Sequence, residues 1–193
     1  MAIKVIIFDC FGVLVQPGKT ILYKKFPNLK NDIDNIEHQW HYGLISRQQF
    51  NEQMAELIGI SPDDVKSKYY DISVRDESAI DWVRQVKLSG DYKVGLLSNV
   101  GSNRINDFFQ SSEQSELFDD MVLSFDVGMI KPEIMIYELA AKRFGVEMNE
   151  CIMIDDISLN VEAANNAGMH GLLYVSVEQA RADVESIIES FNA

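Results

Sequence analysis

The chain has 193 residues, 47% of them apolar and 24% charged, which fits one folded domain carrying an insertion and excludes a disordered chain. Its 30 acidic against 17 basic residues give a net charge of −13. A surface of that sign repels nucleic acid backbones and anionic lipid, so neither is an expected partner.

The N-terminal Met-Ala-Ile-Lys-Val-Ile-Ile-Phe-Asp holds an apolar run of about five residues, too short for a secretory signal or a membrane span. Cys10 and Cys151 are too few for a disulfide framework. They also fall near opposite ends of neighbouring predicted strands, roughly 15 Å apart at strand rise, beyond bridging distance. A cytoplasmic setting is the expectation.

Five apolar runs read as strands: Ile3–Phe8, Lys93–Leu97, Met121–Ser124, Ile152–Ile154 and Leu172–Val175. None alternates cleanly, as expected for strands covered on both faces. Helical patterns at Asn103–Phe109, Glu133–Phe144, Leu159–Ala167 and Val177–Phe191 follow the later runs. Pro132 suits a first helical turn, Ser158 an N-cap, and Gly145 and Gly168 left-handed stops. This alternation predicts an α/β fold with a doubly wound parallel sheet.

From Pro17 to Ser78 no strand pattern is seen. Ile33, Ile36 and Trp40 recur at helical spacing, as do Phe50, Met54, Leu57 and Ile58, and another helix is expected near Asp63–Tyr70. Residues 17–78 are therefore expected to form a small helical subdomain inserted into a core of residues 1–16 and 79–193. Ser111–Glu116 reads as a polar loop.

In open parallel sheets, ligands bind beyond the carboxyl ends of the strands. Four consecutive predicted strands end there in polar groups: Asp9; Ser98 and Asn99; Lys131 in the following loop; Asp155 and Asp156. Carboxylates from two adjacent strand ends make an oxygen-rich site of the kind Mg2+ prefers. Ser98 and nearby backbone amides are placed to hold an anion, and Lys131 to balance its charge. A carboxylate, a divalent metal, a hydroxyl and a lysine around one anion are the parts for phosphoryl transfer through an acyl phosphate.

These residues carry a resemblance. Ile7-Phe8-Asp9-Cys10-Phe11-Gly12-Val13-Leu14, Leu96-Leu97-Ser98-Asn99, Gly128-Met129-Ile130-Lys131-Pro132 and Ile154-Asp155-Asp156 resemble, in order, the four motifs of the haloacid dehalogenase-like hydrolases. The fourth continues through Asn160-Val161-Glu162-Ala163-Ala164 to Gly168-Met169. The resemblance implies a Rossmann-like core with a helical cap, acting on a small phosphorylated metabolite. It implies Asp9 as the nucleophile, Ser98 and Lys131 on the phosphoryl group, and Asn99 and Phe11 lining the substrate site. Magnesium would be held by Asp9, the carbonyl of Phe11, Asp155 and Asp156.

The pattern breaks at Phe11, where phosphatases of this superfamily carry a second aspartate as general acid–base. Phenylalanine transfers no proton, and such a loss typically costs roughly 10²–10⁴-fold in rate. Besides a phosphatase that tolerates Phe11, two readings stand: a descendant that binds a phosphometabolite or protein without turnover, and a 2-haloacid dehalogenase. The dehalogenase branch has an aromatic residue at this position but lacks the paired acids present here as Asp155 and Asp156.

Other candidates read as structural. Trp40 fits the apolar stripe, and His38 and His41 are solvent-facing by default, kept only as replacement proton donors. Cys10 is expected to point away from Asp9 as a buried thiol, and Asn160 to support the loop after Asp155. Arg75, Arg84 and Arg104 have no pattern that singles them out.

Overall fold

The computed structural model describes residues 2–192, the side chains of Tyr70 and Asn192 excepted. Strand β1 (Val5–Phe8) lies at the centre of a five-stranded sheet, flanked by β4 (Lys93–Ser98) and β6 (Cys151–Asp155). Beyond these lie β5 (Asp120–Leu123) and β7 (His170–Leu173), giving the order β5-β4-β1-β6-β7 with every pair parallel. The chain leaves β1 toward one edge and returns to its other side at β6. That reversal opens a crevice beside the end of β1.

Side-chain alternation explains the unbroken apolar runs. Ile6 and Phe8 enter one buried cluster with Trp82, Val83, Leu96 and Ile154. Val5 and Ile7 enter another with Leu97, Ile136, Tyr137 and Met153. Helices α4 (Glu77–Ser89) and α9 (Val177–Asn192) cover the first face, and α7 (Ile134–Phe144) and α8 (Ser158–Asn166) the second. With both faces covered, every strand position is selected for apolarity.

The segment after β1 builds its own core. Helices α1 (Lys19–Lys25), α2 (Lys30–His41) and α3 (Arg47–Ile58) enclose Ile33, Trp40, Phe50, Met54 and Val65. A capping box between Ser46 and Gln49 starts α3, and left-handed Gly59 ends it. The helix expected near residues 63–70 is a 3₁₀ turn at Pro62–Asp64 followed by a π turn at Lys66–Tyr70. At the root of the segment, β2 (Val15–Gln16) pairs antiparallel with β3 (Val74–Arg75), a ribbon in a stretch that shows no strand pattern. Two-residue strands are too short to show a period.

Several boundaries differ from the sequence reading. Asn103–Phe109 is not a helix; only Ile105–Asp107 forms a 3₁₀ turn, beside Asn103 at a positive φ of 60°. The expected polar loop is helix α5 (Ser111–Leu117). It buries Leu117 alone and is tied by Glu113 to Arg75 at 2.6 Å, so no apolar stripe announces it. A four-residue helix, α6 (Ser124–Val127), precedes the Lys131 loop. Pro132 stands before the cap residue Glu133 rather than in the first turn, after a cis bond from Lys131. Ser158 is the first residue of α8 and not its cap; Ile157 holds the cap position without a side-chain cap bond, and its N–H donates to the Asp155 carboxylate at 2.9 Å. The last strand lies two residues earlier than expected, leaving Val175 exposed. No helix among the described residues is long and apolar enough to cross a membrane.

Candidate active site

Asp9 continues the parity of Val5 and Ile7, and its N–H still bonds the Ile154 carbonyl at 2.9 Å. The carboxylate is therefore fixed at the crevice by the sheet itself. Cys10, of opposite parity, is buried in the cluster of Ile6 and Phe8, where burial holds its thiol protonated. Next the chain reverses: Leu14 and Val15 N–H both donate to the Cys10 carbonyl at 2.8 Å, and Gly12 N–H donates to Val15 at 2.8 Å. Gly12 takes a φ of 99°, and a Cβ there would lie 2.2 Å from the Asp156 carboxylate. Only glycine lets the turn after Asp9 lie against the second acid.

Lys131 joins the two halves of the site. Its ammonium, 1% exposed, is 2.9 Å from Asp9 Oδ1 and 2.5 Å from Asp155 Oδ2. Asn99 holds the lysine's backbone at both ends, its Oδ1 accepting from Lys131 N–H and its Nδ2 donating to Lys131 C=O, each at 2.8 Å. The Asn99 side chain is thus spent on Lys131. Asn99 also lines the cavity in front of Asp9. Asn160 donates to both Asp155 oxygens, at 3.0 and 3.1 Å, a closer role than supporting the loop.

The electrostatics follow from burial and spacing. Asp9, Asp155 and Asp156 each offer an oxygen within 4.8 Å of the others. Burial pushes Asp9 up to about 7; Lys131 pulls against that, while Asp155 and Asp156 add to it. Asp156 is raised as well, by burial and by Asp155. Burial works against the Lys131 ammonium, but its two carboxylate neighbours outweigh it and hold the lysine above its ordinary value. Three clustered acids around one lysine favour a further cation.

The donor set suits magnesium. All three side chains present hard oxygen ligands. Among the described residues no hydrogen bond ends on the Phe11 carbonyl, which leaves that oxygen disposable as well. Ser98 is fully buried and its hydroxyl has no protein partner. Such an orphan costs about 1–3 kcal/mol, which an anion's oxygen would recover.

A cavity of about 360 Å³ opens in front of Asp9, Lys131 and Asp156. The helical segment supplies its far wall, including Lys19, Glu37, Trp40 and Tyr69. Trp40 is both core and wall: it stacks on Phe50 at 4.1 Å and its Nε1–H reaches Ser102 Oγ at 3.2 Å. Glu37, 4% exposed, accepts from the Tyr69 hydroxyl and pairs with Lys19 at 3.3 Å. Arg104, which the sequence does not single out, is buried in the same wall. It arrives on a loop of no regular period, and Glu37 faces inward only because α2 packs as it does.

His38 and His41 both line the cavity and are not simply solvent-facing. Burial lowers His41 to about 4; Glu37 opposes this, and Lys19 and His38 reinforce it. An imidazole neutral at pH 7 is no general acid, which removes His41 as a replacement proton donor. Because the folded value lies below the ordinary 6.5, the His41 contribution is fully present above about pH 6.5 and lost as pH falls toward 4. Denaturant unfolding at about pH 7.5 and about pH 4.5 should show wild type losing up to about 3 kcal/mol more than His41→Gln. Parallel losses would place the ring in solvent.

A family model described as haloacid dehalogenase-like hydrolase matches residues 3–168. The (S)-2-haloacid dehalogenase of Pseudomonas putida is 25% identical, over 86% of this chain and 82% of its own. The pyrophosphatase PpaX of Bacillus cereus is 23% identical, over 87% and 81%. Among solved structures, the HAD family enzyme BT-2542 of Bacteroides thetaiotaomicron, in complex with magnesium and inorganic phosphate, superposes with a TM-score of 0.76. It shares 23% identity and covers 91% of this chain and 96% of that one.

Proposed function

The chain belongs to the haloacid dehalogenase-like hydrolases, and from that premise we propose that it is a magnesium-dependent phosphatase of small phosphorylated metabolites. The observation that carries this reading is the Lys131 ammonium held between Asp9 and Asp155, with Asp156 completing an all-oxygen cluster. Asp9 would attack phosphorus and carry the phosphoryl group as an aspartyl phosphate. Lys131 would balance the transferring oxygens, and the Ser98 hydroxyl would donate to one of them. Asp9, the Phe11 carbonyl, Asp155 and Asp156 would hold magnesium. When bound, that ion supplies the charge neutralisation that lets a carboxylate approach a phosphate dianion. Residues 17–78 would act as the cap that encloses the substrate.

Two relatives support hydrolysis of phosphate compounds by name, the pyrophosphatase PpaX and a sesquiterpene phosphatase of Aspergillus oryzae. The magnesium and phosphate bound to BT-2542 support the same cofactor. The dehalogenase reading keeps two supports, the aromatic residue at position 11 and the Pseudomonas relatives. Asp156 weighs against it, because halide departure needs no metal cluster.

The test is phosphate release from an aryl phosphate, with magnesium and with chelator. Wild type should turn over weakly and stop on chelation. Phe11→Asp should gain about tenfold, less than the roughly 10²-fold of a well-placed acid, because the Arg104 guanidinium beside that position favours an ionised carboxylate. Undetectable turnover by both proteins would leave the binding-only reading. Chloride release from a 2-halo acid, indifferent to chelator, would establish the dehalogenase.

A further inference from the structure

Arg104 is 4% exposed, yet it forms part of the cavity wall together with Asp9, Lys131 and Asp156. Its guanidinium carbon is 5.7 Å from the Phe11 ring, 4.4 Å from Phe108 and 5.8 Å from Tyr69. Asp107 at 3.0 Å and Ser73 at 3.1 Å hold the head in place, and Asp107 divides its carboxylate between Arg104 and Arg47. A fixed cation therefore stands against the one residue of the nucleophile turn where a proton donor is missing.

An arginine stays charged at any working pH, so it stabilises a departing anion but protonates nothing. An alkoxide, whose parent acid is about as weak as water, leaves poorly without a proton. A carboxylate, with a parent acid near about 4, or a phosphate, with its second ionisation near about 6, leaves as a stable anion. We propose that Arg104 receives the anionic leaving group of a phosphoric anhydride, a diphosphate or an acyl phosphate, and that Phe11 and Arg104 together select this class over phosphates of alcohols. The inference rests on the phosphatase reading and names its substrate class.

The step balances. An Asp9 oxygen bonds to phosphorus as the bridging P–O bond breaks, and the electron pair stays on the bridging oxygen, which departs as phosphate or carboxylate beside Arg104. Water then attacks phosphorus, the Asp9–phosphorus bond breaks to restore the carboxylate, and the proton of water passes to the released phosphate or to solvent.

The experiment compares kcat/KM for pyrophosphate, acetyl phosphate, glycerol 3-phosphate and an aryl phosphate in wild type, Arg104→Met and Arg104→Lys, with magnesium. Wild type should favour the anhydrides over glycerol 3-phosphate by about 100-fold. Arg104→Met should cut that ratio by about 30-fold, and Arg104→Lys by less, as expected for a lost anion contact. Which of pyrophosphate and acetyl phosphate wild type prefers tells the two anhydride sources apart. Should Arg104→Met unfold, the wild-type profile and Arg104→Lys still decide. Turnover of the aryl phosphate with glycerol 3-phosphate used as well as the anhydrides, or an unchanged ratio in both variants, would overturn the inference alone. No turnover of any of the four would bring down the phosphatase reading first.

Discussion

Asp9→Asn is expected to lower phosphate release by roughly 10⁴-fold or more, the size of loss that follows removal of a nucleophile. An amide is isosteric with the carboxylate but too weak a nucleophile to open the phosphoryl group. The fold should survive, because Lys131 keeps Asp155 as a partner at 2.5 Å and the N–H of residue 9 keeps its bond to Ile154. The variant also reports on the buried charge. In metal-free protein Asp9 is raised to about 7 from an ordinary 3.8, so the folded state holds a proton that the unfolded chain gives up. Its contribution is fully present below about pH 4 and lost as pH rises through about 7. Unfolding in chelator should therefore show wild type losing stability, relative to Asp9→Asn, as pH is raised across that window. Residual turnover above about 1% of wild type would place the nucleophile elsewhere.

Lys131→Met should cost about 3–5 kcal/mol, the price of removing one partner from a buried ion pair. Here the loss strands two carboxylates, Asp9 and Asp155, that the ammonium now holds at 2.9 and 2.5 Å. For a chain of this size that corresponds to a melting point lower by about 6–20 °C. Without the lysine, Asp9 and Asp155 repel, and Asp9 is driven further toward its protonated form. The deficit should therefore be smaller at about pH 5 than at about pH 8. Added magnesium should restore part of the stability if the acid cluster binds it, a gain that calorimetry reads without any activity assay. A variant as stable as wild type at both pH values would mean that the ammonium lies in solvent.

The strand runs and the polar groups at their ends were legible because each depends on local chemistry. A doubly covered strand must be apolar throughout, and Asp9, Ser98 and Asp155 stand where such strands stop, with Lys131 in the loop that follows β5 and α6. Phe11 was legible as a departure for the same reason, since it lies three residues beyond a fixed strand. Helix α5 was not legible: it buries Leu117 alone and is tied down by the Arg75–Glu113 pair, whose partners are 38 residues apart. Asn99 was visible as a polar residue at a strand end, but its grip on the Lys131 backbone depends on a loop 32 residues away.

By itself, then, the order of residues determined the five strands of the parallel sheet and the acids, hydroxyl and lysine at and beyond their carboxyl ends. These follow from periodicity and from the short range of backbone geometry. Only the tertiary structure decided what faces them across the cavity. Arg104 over Phe11, Glu37 on Tyr69, and neutral His41 depend on contacts between residues far apart in the chain, and no local pattern encodes them.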